Sequence, residues 1–141
     1  MPYPSSPEGP AVGLQVEQFN DLIVDARMPI REWLDRTRRS FAVFNNPAVE
    51  DCLGWKLGQY LALGKAIVST PLTRQMPAPV IHGEHVHFIA DEQDIPAAQE
   101  LLRTDPVYRR HLQSAAQGYW QRYLSPEAVV RRVVDGVRVL T

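Results

Sequence analysis

The sequence lacks most features that mark secreted and membrane-spanning proteins. Among its 141 residues there is one cysteine, Cys52, so no internal disulfide framework can form and the composition fits a reducing compartment. No apolar run approaches the roughly 20 residues that cross a bilayer. The first residues do not have the basic and apolar regions of a secretory signal. We therefore expect a cytoplasmic protein without an integral membrane segment.

An excess of charge of one sign is also missing. The chain carries 15 Lys and Arg against 16 Asp and Glu, a formal net charge of -1. This balance gives no overall attraction to a polyanion, so we expect no nucleic-acid partner. Apolar residues make up 45% of the chain, which is typical of a globular domain large enough to bury a core.

Prolines are unevenly distributed and predict where the domain begins. Residues 1–13 hold four of the twelve prolines and are expected to be extended or disordered. Apolar spacings then predict a helix over about 15–27 and a second helix over about 29–38, with Pro29 in its first turn. Residues 14–141 are predicted to form one α/β domain.

Three short apolar runs predict strands, namely "FAVFN" (41–45), "AIVST" (66–70) and "VHFIA" (86–90). A helix over about 55–63 is predicted between the first two runs, with Gly64 as the left-handed residue that ends it. Apolar strands joined through a helix are typical of parallel crossovers. We therefore expect an α/β fold with a small, parallel, Rossmann-like sheet of about three strands flanked by helices.

Three more helices are predicted after the last strand. Each begins with a capping residue and an early proline, and the capping residues are Asp94, Asp105 and Ser125. Gly136 is expected to end the last helix, which leaves residues 137–141 as a frayed tail or an edge strand.

The segments "CLGWKLGQYLALGKAIVSTPL", "HGEHVHFI" and "DPVYRRHLQSAAQGYWQRYLSP" together resemble one protein family. They are similar, in order and spacing over about residues 40–135, to the C-terminal half of group-1-type glycosyltransferases of GT-B fold. The resemblance implies an incomplete GT-B C-terminal domain that holds a nucleotide-sugar donor. It implies no metal and no cofactor other than this donor substrate.

By this resemblance, the donor site comprises Asp51, Gly54, Trp55, Lys56 and Gln59. Backbone N–H groups at a helix N-terminus attract a diphosphate, and the Lys56 ammonium adds a positive charge. The family often has glutamates for the donor ribose where this chain has Asp51 and Gln59. A glutamine cannot form the charge-assisted hydrogen bonds of a glutamate, a loss of about 1–2 kcal/mol. Gln59 fits an ordinary helix-surface residue equally well, and Gly54 to Lys56 also fit a plain helix start with a core tryptophan.

The resemblance also indicates what the chain lacks. Complete enzymes of the family have an acceptor domain and earlier strands that carry a basic pair and the catalytic base, and about 40 residues precede "FAVFN" here. We therefore expect a donor-binding half domain from cell-surface glycan or polysaccharide synthesis. Its activity would need the missing part or a separate N-terminal chain, and its catalytic residues stay unknown. The alternative is a non-catalytic interaction or scaffold remnant of the fold.

Two further expectations concern a metal and the sheet edge. The motif "HGEHVH", with His82, His85 and His87, allows a zinc-binding hypothesis, but the helical spacing H-E-x-x-H and a cysteine pair are missing. A loop packed by backbone turns is favoured, with His85 and His87 pointing the same way from a strand. An incomplete sheet exposes an edge, which we expect Leu14–Arg39 to cover unless the chain self-associates.

Overall fold

The protein's computed structural model describes residues 28–46 and 53–139, the last three of them by backbone only. The helices are α1 (Ile30–Arg39), α2 (Gly54–Ala62), α3 (Ile95–Thr104), α4 (Pro106–Tyr119) and α5 (Pro126–Val139), and the strands are β1 (Ala42–Asn45), β2 (Ala66–Ser69) and β3 (His87–Phe88). A 3-10 turn (Glu92–Asp94) precedes α3, and a π-helical turn (Trp120–Leu124) follows α4. The segment 1–13 and the helix predicted over 15–27 lie outside the described residues.

The three strands form one parallel sheet in the order β1-β2-β3, which confirms the predicted α/β fold. Ala42 pairs with Ala66, and the register continues to Asn45 opposite Ser69. β3 is shorter than the predicted 86–90, with His87 and Phe88 as its ladder residues. At its carboxyl side β3 stops at Phe88 because β2 ends at Ser69, opposite it, and at its other side Val86 forms a bridge with His82.

Both faces of the sheet are covered, which explains why β2 is apolar from Ala66 to Val68. Ile67 packs on one side in a core with Leu57 and Leu61 of α2. Ala66 and Val68 pack on the other side in a second core, which includes residues of α3. Helix α4 contributes to both cores. Its Leu112 packs in the core on the α3 side, and its Ala116 and Tyr119 pack in the core on the α2 side.

Two of the three predicted caps are confirmed. An Asp105 carboxylate oxygen accepts the Tyr108 N–H at 2.8 Å, and the Ser125 hydroxyl accepts the Ala128 N–H at 3.2 Å. Asp94 occupies the N-cap position of α3 as predicted, but its side chain gives no cap hydrogen bond, because its carboxylate accepts the Ala90 N–H instead. Asp91 caps that turn by accepting the Gln93 N–H at 2.7 Å.

The two glycines predicted to end helices behave differently. Gly64 follows α2 with a φ of +59°, the left-handed conformation that was predicted. Gly136 does not end α5, which continues to Val139, so the alternative of an edge strand beginning at residue 137 is wrong. A Cβ built on Gly136 would meet nothing within 4 Å, and a glycine in such open space is tolerated inside a helix.

Helix α1 packs on α2 through one aromatic residue. The Trp33 ring lies 5.9 Å from the Tyr60 ring and 5.5 Å from the Trp55 ring. The buried Lys65 ammonium donates to the backbone carbonyls of Arg38 and Ser40, which ties the segment between α1 and β1 to the start of β2. The prediction that Leu14–Arg39 covers a sheet edge stays a prediction, since half of that segment lies outside the described residues. No helix in the described ranges is long and apolar enough to cross a membrane.

Candidate functional site

The first turn of α2 holds three of the five predicted donor-site residues, and Asp51 lies outside the described ranges. α2 ends just before β2 begins, so its N-terminus lies toward the carboxyl ends of the parallel strands, where ligands of open α/β sheets bind. Gly54 has a φ of +64°, and Leu53 before it supplies no side-chain cap. The first turn also has no acidic residue. Its N–H groups are therefore placed to attract an anion.

Trp55 and Lys56 both lie on the surface beside this helix start. Trp55 is 59% exposed, so the interpretation of a core tryptophan is wrong. Its ring contacts Trp33 of α1, a contact that sequence spacing could not predict because it joins separate helices. The Lys56 side chain is exposed and forms no hydrogen bond or ion pair with the described residues, so its ammonium is available to a ligand.

Gln59 lies one turn further along α2 and is partly buried. Its Oε1 atom is enclosed and has no hydrogen-bond partner among the described residues. The interpretation of Gln59 as an ordinary surface residue therefore does not fit. An enclosed acceptor without a partner typically costs about 1–3 kcal/mol. A ribose hydroxyl could satisfy this oxygen only after the side chain turns outward.

The strands place a polar cluster at the same end of the sheet, which the sequence analysis missed. Asn45 ends β1 and donates from Nδ2 to the Ser69 hydroxyl at 2.9 Å, and Ser69 donates to the Thr70 carbonyl at 2.7 Å. Asn45 and Ser69 are buried, and the Thr70 hydroxyl oxygen is a second enclosed polar atom without a described partner. The signal in the sequence was a polar residue closing each of two adjacent apolar strands.

The three histidines of "HGEHVH" hold the loop and its strand together. Each Nδ1 atom is engaged, since His82 accepts the Phe88 N–H at 3.0 Å and His85 accepts the Ile81 N–H at 3.1 Å. His87 shares a 2.9 Å hydrogen bond with the Tyr108 hydroxyl.

These contacts confirm a loop packed by turns, but they correct the predicted orientation of the histidines. His85 lies in a turn against Tyr119, whereas His87 is in β3 against Tyr108. In the described part of the chain, no three His, Cys, Asp or Glu side chains are placed to hold a metal ion together. The expectation that no metal is used stays a prediction.

Burial changes the acidity of two of these histidines. It lowers the pKa of His85, an effect that Arg122 and His111 reinforce and the Glu84 carboxylate opposes. Burial also lowers the pKa of His87, with a smaller contribution from His82. Both rings are therefore neutral near pH 7.

Comparison of the chain with models of protein families, with curated proteins and with solved structures finds no match. The glycosyltransferase resemblance therefore stays a prediction from the sequence.

Proposed function

We propose that this protein binds the nucleoside diphosphate part of a nucleotide sugar at the N-terminus of α2, as the donor-binding half of a glycosyltransferase. The observation that carries the proposal is the start of α2, which no described side chain caps, with Gly54 at a φ of +64°, at the carboxyl side of a parallel sheet. Parallel sheets place nucleotide phosphates at such helix ends because N–H groups and the helix dipole both favour negative charge there.

Each described residue of this site would contact a different part of the ligand. The N–H groups of the first turn bind the diphosphate, and the Lys56 ammonium neutralises part of its charge. The exposed face of Trp55 offers an apolar surface for the base or the sugar. Gln59 bonds the ribose once its side chain turns toward the ligand.

The proposal concerns binding, and catalysis needs more groups. Displacement of the diphosphate would be stabilised by the helix dipole and by basic residues, without a metal ion. The resemblance implies that the basic pair and the catalytic base come from segments other than the one that resembles the family here, or from a separate chain that completes the enzyme. Cell-surface glycan or polysaccharide synthesis is the process that the resemblance implies.

A calorimetric titration with UDP and with GDP tests the proposal. We expect one of them to bind with micromolar affinity, about -8 kcal/mol. Lys56→Ala should weaken this binding about five- to tenfold, because it removes one charge-assisted contact. Arg110→Ala, which removes an exposed cation of α4 outside the site, is the matched control and should leave affinity unchanged. Absence of heat with both nucleotides would contradict the proposal.

A second candidate is a non-catalytic interaction or scaffold remnant of the same fold. The enclosed Gln59 Oε1 favours it, because that atom is not open to a ligand without a rearrangement. In a remnant, Lys56→Ala would change neither nucleotide affinity nor the melting temperature.

A further inference from the structure

A second cleft lies between the loop before β3, the end of α4 and α5, and none of the donor-site residues lines it. It consists of two cavities of about 340 Å³ and 300 Å³ that share Arg122 and Tyr123 as lining residues. Glu84 and His85 line the first cavity, and small residues of α4 leave it room. The second cavity is lined by α5, through Ala128, Arg131, Arg132 and Asp135. We call the two together the arginine cleft.

Three arginines of the arginine cleft have no ion-pair partner among the described residues. Arg122, Arg131 and Arg132 form no ion pair or hydrogen bond with any other described residue, although the Arg122 guanidinium lies 6.0 Å from the Tyr123 ring. Elsewhere, arginines next to carboxylates do pair, as in Arg36–Glu32, Arg39–Asp35 and Arg103–Glu100. Exposed guanidinium groups that line one cavity without an ion pair to a described residue are suited to a multiply charged oxyanion.

His85 contributes an N–H donor to the first cavity, which it lines together with Arg122. Its Nδ1 accepts the Ile81 N–H, so the neutral ring carries its proton on Nε2. This atom lies 3.7 Å from the Glu84 Oε1, too far for a hydrogen bond, and the side chain is 14% exposed. A donor at the cavity wall is therefore left for a ligand, next to the guanidinium of Arg122.

We propose that the arginine cleft binds a phosphate group, held by the guanidinium groups of Arg122 and Arg132 and by the Nε2–H of His85. A phosphate offers several acceptor oxygens, which matches these N–H donors, and Asp135 also lines the second cavity. The carboxylate of Glu84 opposes the anion and limits its affinity. This site goes beyond the proposed function, because it uses different residues from the start of α2.

Two sources of the phosphate group are compatible with the surroundings of the cleft. One is a small soluble phosphate compound. The other is an anionic lipid headgroup, because four valines of α5 near the cleft are exposed, namely Val129, Val130, Val133 and Val134. An exposed apolar helix face flanked by arginines is the pattern of helices that lie on a membrane surface.

Binding by His85 makes the site sensitive to pH. Arg122, His111 and Glu84 are the charged or titratable groups that act on His85, and Tyr119 packs against its ring. A bound anion favours the protonated imidazole. Affinity for sulfate, which does not change its own charge in this range, should therefore rise as the pH falls from 7 to about 5.5. His85→Asn should remove this rise, and affinity that does not change with pH in the unsubstituted chain would contradict a role for His85.

The experiment uses the full chain and two probes. Inorganic pyrophosphate is titrated calorimetrically, and vesicles of phosphatidylcholine, with and without phosphatidylglycerol, are used in a flotation assay. Arg122→Gln and Arg132→Gln should each weaken binding of the effective probe about tenfold or more. Glu84→Gln should tighten it about two- to fivefold, since a like charge is removed. Arg110→Gln is the control for loss of one surface cation, and circular dichroism establishes that each variant is folded.

The outcomes separate the two sources and the two sites. Pyrophosphate binding that depends on Arg122 supports a soluble ligand, and binding to phosphatidylglycerol vesicles alone, with the same dependence, supports a lipid headgroup. The inference is overturned if neither probe binds, if the arginine variants bind normally, or if Glu84→Gln weakens binding. Pyrophosphate binding that is lost in Lys56→Ala and kept in Arg122→Gln would overturn it while supporting the donor site.

Discussion

Replacing Gln59 by methionine should make the protein more stable, which is unusual for a change at a proposed binding residue. Methionine has a similar length and helix propensity, but it removes the enclosed Oε1 that has no partner among the described residues. An orphaned acceptor of this kind costs about 1–3 kcal/mol. Since Gln59 is only partly buried, we expect the lower half of that range. A gain of about 1–2 kcal/mol corresponds to a rise in melting temperature of about 3–7 °C for a chain of this length.

The assay is urea denaturation together with differential scanning calorimetry of Gln59→Met and the matched control Gln99→Met. Gln99 also lies on a short helix, but it is exposed, so its replacement should change the free energy of unfolding by no more than about 0.5 kcal/mol. A loss of stability in Gln59→Met of 1 kcal/mol or more would refute the reasoning. It would mean that Oε1 has a hydrogen-bond partner and that the polar group stabilises the fold.

Two further predictions concern acid stability and backbone strain. The folded state lowers the pKa of His85 and His87, so unfolded chains bind more protons below about pH 6.5 and stability should fall as the pH drops from there through the folded pKa values. The double variant His85→Asn/His87→Asn should show a shallower loss in melting temperature between pH 7 and 5, and an equally steep loss would contradict this assignment. Gly64→Ala should destabilise by about 1–2 kcal/mol, because φ is +59° and a Cβ would lie 3.3 Å from the Gln113 carbonyl oxygen. Gly58→Ala in α2 meets nothing within 4 Å and should instead stabilise by up to about 1 kcal/mol in urea denaturation, so equal effects of the two changes would refute the strain argument.

The strands and α2 were predictable because local sequence and tertiary packing agree on them. "FAVFN" and "AIVST" are apolar on both alternating faces, and the structure buries both faces of the sheet between helices. Gly64 has a left-handed φ of +59°, a backbone conformation that residues with a side chain rarely adopt. Asp105 and Ser125, each followed by proline, begin helices by accepting the N–H of the residue three positions later, so the cap depends on local sequence alone.

The wrong predictions about the fold all concern features that a distant or competing partner determines. The length of β3 depends on where β2 ends, which lies outside its own sequence. Asp94 was assigned the cap of α3, but Asp91 begins a 3-10 turn first and leaves the Asp94 carboxylate to bond backward to Ala90. Gly136 could have ended α5, but a single glycine in open space costs only about 1 kcal/mol, too little to stop a helix by itself.

Predicting the sites was harder, because their side chains come from separate helices. The start of α2 was predicted from its glycine and from the family resemblance, whereas the contact of Trp55 with Trp33 joins two separate helices. The arginine cleft was not predicted, since Arg122 of the π-helical turn and Arg132 of α5 line the same cavity from separate elements. Its lack of carboxylate partners cannot be read from a sequence in which the charges nearly cancel.

The stability and the nucleotide affinity of Gln59→Met together separate the two proposed functions. A donor site keeps a polar group that destabilises the empty protein because the ribose satisfies it in the complex, so the variant should gain stability and lose affinity. In a remnant nothing compensates for the enclosed oxygen, so stability rises and nucleotide binding is absent before and after the change. If the variant gains stability and binds UDP or GDP as tightly as the unsubstituted chain, the donor site includes Gly54 and Lys56 but not Gln59.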